Sequence, residues 1–211
     1  MQLPAITDAL DFREMFGGEA PLDVDLGCGD GTFIAGMACR FPAHNFLGIE
    51  RLKGRFESTQ KKITSERLMN ARVLRAETRH FVEQLLPKES ISAFHLLFPD
   101  PWPKRRHQSR RIVTPTLIEL LFTALVPAGL LHFATDQQDY FKACARIIES
   151  GKCFASCDGE IEFPVTTFER HFRDRTVPIY RLLMRKISPV TNACASQPAS
   201  PICSAMLPVS S

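Results

Sequence analysis

The fold of this chain is decided by the stretch Pro21-Leu22-Asp23-Val24-Asp25-Leu26-Gly27-Cys28-Gly29-Asp30-Gly31. Its first six residues predict a β-strand that stops at glycine, and residues 32–40 predict a helix. A strand, a glycine-rich loop and a helix in this order are typical of cofactor-binding α/β folds. Glycines adopt positive φ angles there and let the backbone approach a ligand closely.

The glycine spacing and the neighbouring acids indicate which cofactor this loop holds. A dinucleotide-binding loop follows Gly-x-Gly-x-x-Gly, whereas Gly31 comes one residue early for that pattern. Asp25 precedes the loop and Asp30 lies within it, and carboxylates oppose the binding of a pyrophosphate. Acids suit a ligand with an ammonium group and a sulfonium. The loop therefore predicts S-adenosylmethionine (S-adenosyl-L-methionine), bound at Asp25, Gly27 and Gly29, and makes an NAD-dependent oxidoreductase improbable.

Strands and helices alternate along the rest of the chain. Further strands are predicted at 45–50, 71–75, 92–98, 129–134, 153–163 and 178–186, and further helices within 1–20 and at 52–68, 79–86, 115–125 and 138–150. This alternation predicts a Rossmann-like α/β fold, with a mostly parallel seven-stranded sheet and helices on both faces. No helix is evident between the last two strands, which suits an antiparallel hairpin at the sheet edge.

Two more acids lie at strand ends. Glu50 ends the second predicted strand, where a carboxylate can accept hydrogen bonds from both ribose hydroxyls. Glu77 follows the third strand, near the expected place of an adenine, although one acid after a strand is a weaker indication. An ordinary polar strand end is the alternative for Asp25 and for both of these residues.

The fourth predicted strand runs into a proline-rich loop. Three prolines within Pro99-Asp100-Pro101-Trp102-Pro103 cannot continue a strand or a helix, so the loop holds Asp100 rigidly at the ligand-binding edge. Trp102 would either stack on a base or anchor the loop. Five of the eight residues from Lys104 to Arg111 are Lys or Arg. Beside an active site such a run predicts contacts with a phosphate backbone, although elsewhere it would be a solvated face.

Composition limits the class of protein. The 211 residues carry a net charge of +3 and are 45% hydrophobic, as expected of one soluble domain. The seven scattered cysteines indicate reduced thiols and no metal site. No apolar run suits a bilayer span and no secretory signal is evident, so a cytoplasmic protein is expected. Residues 188–211 lack charge and contain four prolines, which predicts a disordered tail after a domain at 1–187.

The stretch from Phe98 to His107, with Arg110-Arg111-Ile112-Val113 after it, resembles the signature of the bacterial tRNA (guanine-N7)-methyltransferases. Gly48-Ile49-Glu50, Thr135-Asp136 and Thr166-Thr167-Phe168-Glu169 resemble other elements of that family, in the family's order. The resemblance covers about residues 20–186. It implies a class I S-adenosylmethionine-dependent methyltransferase that methylates N7 of guanosine 46 in the variable loop of tRNA.

The resemblance also implies roles for residues. The implied cofactor site consists of Asp25, Glu50, Glu77 and Asp100, with Asp100 also catalytic, and the implied substrate contacts are Lys104, Asp136, Thr166, Thr167, Phe168 and Glu169. Asp136 and Glu169 are expected to accept hydrogen bonds from guanine N1–H and its amino group. The chain departs from the family's pattern at Glu77, where Asp is usual, and at Thr167, where a charged residue is common. The expected partner is tRNA, and the expected state is a monomer or homodimer.

Two alternatives remain open on the sequence. One is a methyltransferase of the same fold that acts on a protein amide or a small molecule, which the basic run argues against. The other is a non-catalytic RNA-binding module that retains the cofactor loop. Tight binding of S-adenosylmethionine without turnover would indicate the second.

Overall fold

The computed structural model describes residues 9–150, 153–157 and 162–187, so the predicted tail at 188–211 lies outside the described residues. The strands are β1 (Leu22–Leu26), β2 (Asn45–Glu50), β3 (Ala71–Arg75), β4 (Ile91–Leu97), β5 (Leu125–Thr135), β6 (Phe154–Ser156) and β7 (Tyr180–Lys186). The helices are α1 (Phe12–Phe16), α2 (Thr32–Arg40), α3 (Lys53–Ser65), α4 (Thr78–His80, continued by a π-helical turn, Phe81–Leu85), α5 (Pro115–Ala124), α6 (Gln138–Ser150) and α7 (Thr167–Asp174).

All seven strands form one sheet in the order β3-β2-β1-β4-β5-β7-β6. The strands from β3 to β5 are parallel, whereas β7 is antiparallel to both β5 and β6. The prediction of a mostly parallel seven-stranded sheet with an antiparallel edge is therefore confirmed. The strand order reverses between β1 and β4, and open α/β sheets bind ligands at the carboxyl ends of the strands at such a point.

Helices cover both faces of the sheet, and consecutive residues of β5 show the two sides. His132 lies 6.3 Å from the ring of Phe33 in α2, whereas Phe133 packs against Tyr140 in α6 at 6.0 Å. The central strands are consequently buried on both sides, and Val24 and Phe94 are fully inaccessible. No helix in the described part of the chain is long and apolar enough to cross a membrane.

The end of the chain differs from the prediction. Strand β6 covers only Phe154–Ser156, residues 162–166 are irregular, and helix α7 follows before β7 begins. The expectation that no helix separates the last two strands was therefore wrong. Helix α7 starts at a Thr166 cap, whose Oγ1 accepts a hydrogen bond from the Glu169 amide at 2.9 Å. The helix has only eight residues and two apolar side chains, Phe168 and Phe172, which is too short a pattern to predict a helix from the sequence.

Candidate active site

The glycine loop joins β1 to α2 in the conformation expected from its sequence. Gly27, Gly29 and Gly31 have φ angles of 87°, 60° and 76°, a region that residues with side chains rarely adopt. A Cβ on Gly31 would lie 2.6 Å from Cγ2 of Thr59 in α3, whereas Gly27 and Gly29 have nothing within 4 Å. Gly31 thus permits close packing on α3, and the other two leave open space for a ligand.

The Glu50 carboxylate is held at the end of β2 by backbone donors. Its Oε2 accepts from the Gly29 amide at 3.1 Å and its Oε1 from the Leu52 amide at 2.7 Å. Glu77 is exposed and caps α4, where its Oε2 accepts from the His80 amide at 2.9 Å. Both acids line a cleft of about 580 Å³. Each carboxylate oxygen has a second lone pair, so both groups can accept hydrogen bonds from a ligand as well.

Asp25 lies at the floor of an adjoining cleft of about 330 Å³. The carboxylate is almost fully buried, and this burial raises its pKa to about 7. This value already includes a downward contribution from His95 and a smaller upward contribution from Glu50. The two clefts share Gly27, Arg55, Leu97, Phe98, Pro99 and Asp100, so they form one continuous groove along the carboxyl ends of the strands.

The proline-rich loop is held in a strained shape beside this groove. Phe98 and Trp102 have φ angles of 50° and 39°, which are uncommon for residues with large side chains. Arg111 Nε donates to the Pro101 carbonyl at 2.9 Å, and its guanidinium carbon lies 4.7 Å from the centre of the Tyr140 ring. Arg111 thereby fastens the loop to α6. Asp100 is exposed at the rim of the groove and lines both clefts.

The basic run forms a 3₁₀ segment, Arg105–Arg110, directly after this loop. Trp102 packs against it, 5.0 Å from the guanidinium carbon of Arg110 and 5.9 Å from the His107 ring. Trp102 thus anchors the loop and also lines the larger cleft, and its stacking on a base stays a prediction. Lys104 is exposed at the start of the segment and lines neither cleft.

The start of α7 forms the opposite wall of the smaller cleft. Thr167 Oγ1 donates to Asp30 Oδ2 at 2.7 Å and lies 3.1 Å from Thr32 Oγ1, so α7 rests on the glycine loop. Phe168 is 46% exposed, with the guanidinium carbon of Arg55 5.5 Å from its ring centre.

The predicted site residues thus divide into three groups. The smaller cleft is lined by Asp25, Gly27, Gly29, Asp100, Asp136, Thr166, Thr167 and Phe168, and the larger one by Gly27, Glu50, Glu77 and Asp100. Lys104 and Glu169 line neither cleft. The Glu169 side chain is buried between α7 and β7, where its carboxylate oxygens face Arg173 and Arg181.

Comparison with known proteins shows the family to which the chain belongs. A family profile described as "Putative methyltransferase" matches residues 19–182. A tRNA (guanine-N(7)-)-methyltransferase of Hydrogenovibrio crunogenus is 34% identical over 168 residues, covering 76% of this chain and 70% of that protein. A protein of the same name from Alkalilimnicola ehrlichii is 31% identical, covering 88% and 81%. The chain belongs to this methyltransferase family.

The overlap with some relatives is only partial. A relative of the same name from Thermotoga maritima is 33% identical over 84% of this chain, but the match spans 58% of that protein. Among solved structures, the 16S rRNA methyltransferase KamB has a TM-score of 0.63 at 16% identity, covering 86% of this chain and 95% of that one. A SAM-dependent methyltransferase of Aquifex aeolicus has a TM-score of 0.54 at 12% identity, covering 83% and 88%. At these identities the structures show a shared fold.

S-adenosylmethionine is the methyl donor of this methyltransferase family, and the residues of the groove fit it. The open space above Gly27 and Gly29 lets a ligand approach the backbone closely. Glu50 offers acceptors suited to ribose hydroxyls, and the buried Asp25 offers a carboxylate suited to an ammonium group.

Sequence reasoning missed three residues near the site. They are Arg55 in α3 and the buried histidines His95 and His132 in β4 and β5. The histidines had a signal, because each interrupts an otherwise apolar strand. Arg55 had none, since it lies on an exposed polar helix.

Proposed function

We propose that this chain transfers a methyl group from S-adenosylmethionine to N7 of a guanosine in tRNA, and that this guanosine is number 46 in the variable loop. The observation that carries the proposal is the joint position of Asp25 and Asp100 on one cleft, with the basic segment Arg105–Arg110 beginning five residues after Asp100. The names of the relatives support the substrate. We further propose that the chain acts on tRNA in the cytoplasm and that it does so as a monomer or homodimer.

Each acid of the groove would contact a different part of the cofactor. Glu50 would bind the ribose hydroxyls, Glu77 would lie at the adenosine, and Asp25 would face the ammonium group. S-adenosylmethionine supplies a methyl group on a cationic sulfonium. The Gly27 and Gly29 backbone, with Asp100 at the rim, would keep that methyl group facing the smaller cleft.

Guanine N7 has an available lone pair and carries no proton, so its methylation needs no strong base. The main task of the protein is to place N7 in line with the methyl group. The product base is cationic, and the Asp100 carboxylate would stabilise the charge that develops on it. Asp136, on the neighbouring loop of the same cleft, would accept hydrogen bonds from N1–H and the amino group and so select guanine over adenine.

The substrate must also be made accessible. A guanosine whose N7 takes part in tRNA tertiary structure has to leave its stack, at a cost of a few kcal/mol by analogy with base flipping. Phosphate contacts from Lys104 and the basic segment would offset this cost, and Thr166, Thr167 and Phe168 would form the wall against which the base is placed.

The assignment is tested with labelled S-adenosylmethionine and unmodified tRNA, followed by chain cleavage at 7-methylguanosine. Label at position 46 is expected. Label on another nucleotide would refute the position. Cofactor binding with no transfer to any tRNA would instead identify an inactive RNA-binding module.

The role of Asp100 is tested separately with Asp100→Asn. We expect kcat to fall by about a hundredfold, because one preorganised electrostatic contact is lost from the transition state. The matched control is Glu149→Gln, an exposed acid at the end of α6, for which unchanged kcat is expected. Full activity of Asp100→Asn with unchanged cofactor binding would refute the catalytic role.

A further inference from the structure

A chain of polar side chains crosses the sheet beneath α7. It starts at Asp23 in β1 and passes through His95 in β4, His132 in β5 and Arg181 in β7 to Glu169 in α7. The successive contacts measure 3.5 Å (Asp23 Oδ2 to His95 Nε2), 3.2 Å (His95 Nδ1 to His132 Nδ1), 3.5 Å (His132 Nε2 to Arg181 Nη1) and 2.5 Å (Arg181 Nη2 to Glu169 Oε2). We call this set the buried polar chain.

The protons of the buried polar chain have one consistent arrangement. Arg181 can only donate, so His132 Nε2 accepts, and the His132 proton lies on Nδ1. His95 Nδ1 then accepts from His132, and its Nε2 donates to Asp23. Burial, together with His95 and Arg181, holds the pKa of His132 well below its usual range, in agreement with a neutral ring. Every donor therefore points from Arg181 towards Asp23.

The Glu169 end of the buried polar chain has closer contacts than the Asp23 end. The Glu169 side chain is 3% exposed, and its two oxygens face different arginines, Arg173 and Arg181. Its backbone amide donates to the Thr166 cap. The Glu169 carboxylate lines neither cleft, so it does not face the place of a ligand, and its contact with Arg181 fixes the first turn of α7 relative to β7. The Arg173 and Arg181 side chains are 60% and 36% exposed, so these ion pairs add little net stability, and the position that they give to α7 is their main consequence.

The segment that leads into α7 is fixed as well. The Phe163 ring stacks on His132 with centroids 4.0 Å apart and an interplanar angle of 16°. Arg40 Nη1 donates to the Glu162 carbonyl at 2.7 Å. The approach to α7 is therefore tied both to α2 and to the buried polar chain.

Helix α7 in turn contacts both loops of the site. Thr167 donates to Asp30 of the glycine loop, and the Phe172 ring lies 5.4 Å from Phe98 of the proline-rich loop. A displacement of α7 would consequently change the cleft that holds the cofactor, even with no tRNA present.

We propose that Glu169 and Arg181 are positioning residues that hold the start of α7 as a wall of the cofactor cleft, and that Glu169 does not itself contact guanine. The proposal rests on the proposed function for its ligand, S-adenosylmethionine. It gives Glu169 a different role from the substrate contact that the sequence resemblance implies. His132 and His95 support the same arrangement. His132 accepts from Nη1 of Arg181, the nitrogen that does not face Glu169, and His132 in turn donates to His95.

The test measures the Kd of S-adenosylmethionine by calorimetry on the full chain without tRNA. We expect Glu169→Gln and Arg181→Gln each to weaken binding by about threefold to tenfold, which lies within the range of coupling energies between residues in contact. The double variant should be no weaker than the worse single variant, because both changes release the same helix. The matched control, Arg146→Gln, removes an exposed arginine from α6 on the opposite face and should bind as the wild type does.

Hydrogen exchange of the α7 amides gives a second measurement that needs no ligand. Faster exchange over Thr167–Asp174 is expected in both variants and not in the control. Unchanged cofactor affinity together with unchanged exchange would overturn the proposal and favour a Glu169 that contacts guanine directly. A wild-type chain that does not bind S-adenosylmethionine would refute the proposed function, and the exchange experiment would then decide the positioning role alone.

Two milder variants keep the proposal testable should Glu169→Gln or Arg181→Gln fail to fold. Arg181→Lys keeps the charge and should weaken cofactor binding less than Arg181→Gln. Thr167→Val removes the hydroxyl that donates to Asp30 and leaves the buried ion pair intact. Thr167→Val should weaken binding, and combining it with Arg181→Lys should add little. Strictly additive losses would show that Arg181 acts through some other contact, and would overturn the proposal.

Discussion

Asp25 shows how burial within the fold changes the ionisation of a side chain in the candidate site. It lies near the end of β1, beneath the glycine loop, and its pKa is raised to about 7, mainly by burial, with His95 lowering it and Glu50 raising it to a smaller extent. The folded-state pKa lies above the ordinary aspartate pKa of 3.8, so ionisation of Asp25 opposes folding. That unfavourable contribution grows between about pH 4 and pH 7 and is constant above this range. A cationic ligand reverses the preference, because it stabilises the ionised carboxylate.

We therefore predict that cofactor affinity depends on pH through Asp25. Binding of an ammonium group lowers the pKa of Asp25, so below about pH 7 binding must release a proton. The Kd should therefore rise by up to about tenfold for each unit by which the pH falls below about 7. Calorimetry between about pH 5.5 and pH 7.5, in buffers of different ionisation enthalpy, measures both the affinity and the proton release. Asp25→Asn should bind more weakly and lose this dependence. A wild-type Kd that is constant over the range would contradict the prediction.

At the scale of elements, two helical glycines lie in opposite surroundings. A Cβ on Gly36 in α2 would lie 2.7 Å from Cβ of Pro164, in the segment that leads to α7. A Cβ on Gly54 in the first turn of α3 would meet nothing within 4 Å. The first glycine thus permits two elements to approach closely, whereas the second has no such packing role.

Alanine substitutions should separate the two positions. Gly54→Ala should raise the free energy of unfolding by up to about 1 kcal/mol, because alanine is the better helix former. Gly36→Ala should lower it by about 1 kcal/mol, because the rigid proline ring must move. Urea denaturation of both variants measures the difference. Equal stabilisation of the two would show that the contact between α2 and Pro164 is unimportant.

Over the whole molecule, charge is distributed unevenly in a way that the net value of +3 conceals. The exposed arginines of the 3₁₀ segment lie beside the groove, directly after the proline-rich loop. This position suits a polyanionic substrate whose target base enters the groove while its backbone stays outside.

Removal of two of these charges should therefore change the salt dependence of tRNA binding. Arg105→Ala with Arg106→Ala should weaken binding and reduce the slope of log K against log salt by about 1 to 2, one for each lost phosphate contact. Filter binding at several salt concentrations measures the slope. The control is Lys142→Ala with Arg146→Ala, two exposed bases one turn apart on α6, for which no change in slope is expected. An unchanged slope in the Arg105 and Arg106 variant would refute the assigned interface.

Much of the fold and part of the site follow from local signals in the sequence. The predicted helix at 32–40 and strand at 45–50 coincide with α2 and β2, because apolar runs punctuated by glycine and charged residues define them. The positive φ angles of Gly27, Gly29 and Gly31 follow from the loop pattern itself. Acids at the ends of parallel strands must meet at one edge of the sheet, so the grouping of Asp25, Glu50 and Asp100 was also predictable.

Only the tertiary structure decides how α7 is placed and which side chains Glu169 contacts. Helix α7 is short and polar, and it is held by contacts outside its own segment. Thr167 donates to Asp30, 137 residues away in sequence, and Glu169 pairs with Arg181 of β7. No local pattern encodes those pairings, because they depend on how the sheet brings the glycine loop and β7 next to α7. The glycine loop that determines the fold can thus be predicted from the sequence alone. The position of α7, the wall that completes the cleft, depends on the contact of Thr167 with Asp30, more than a hundred positions away.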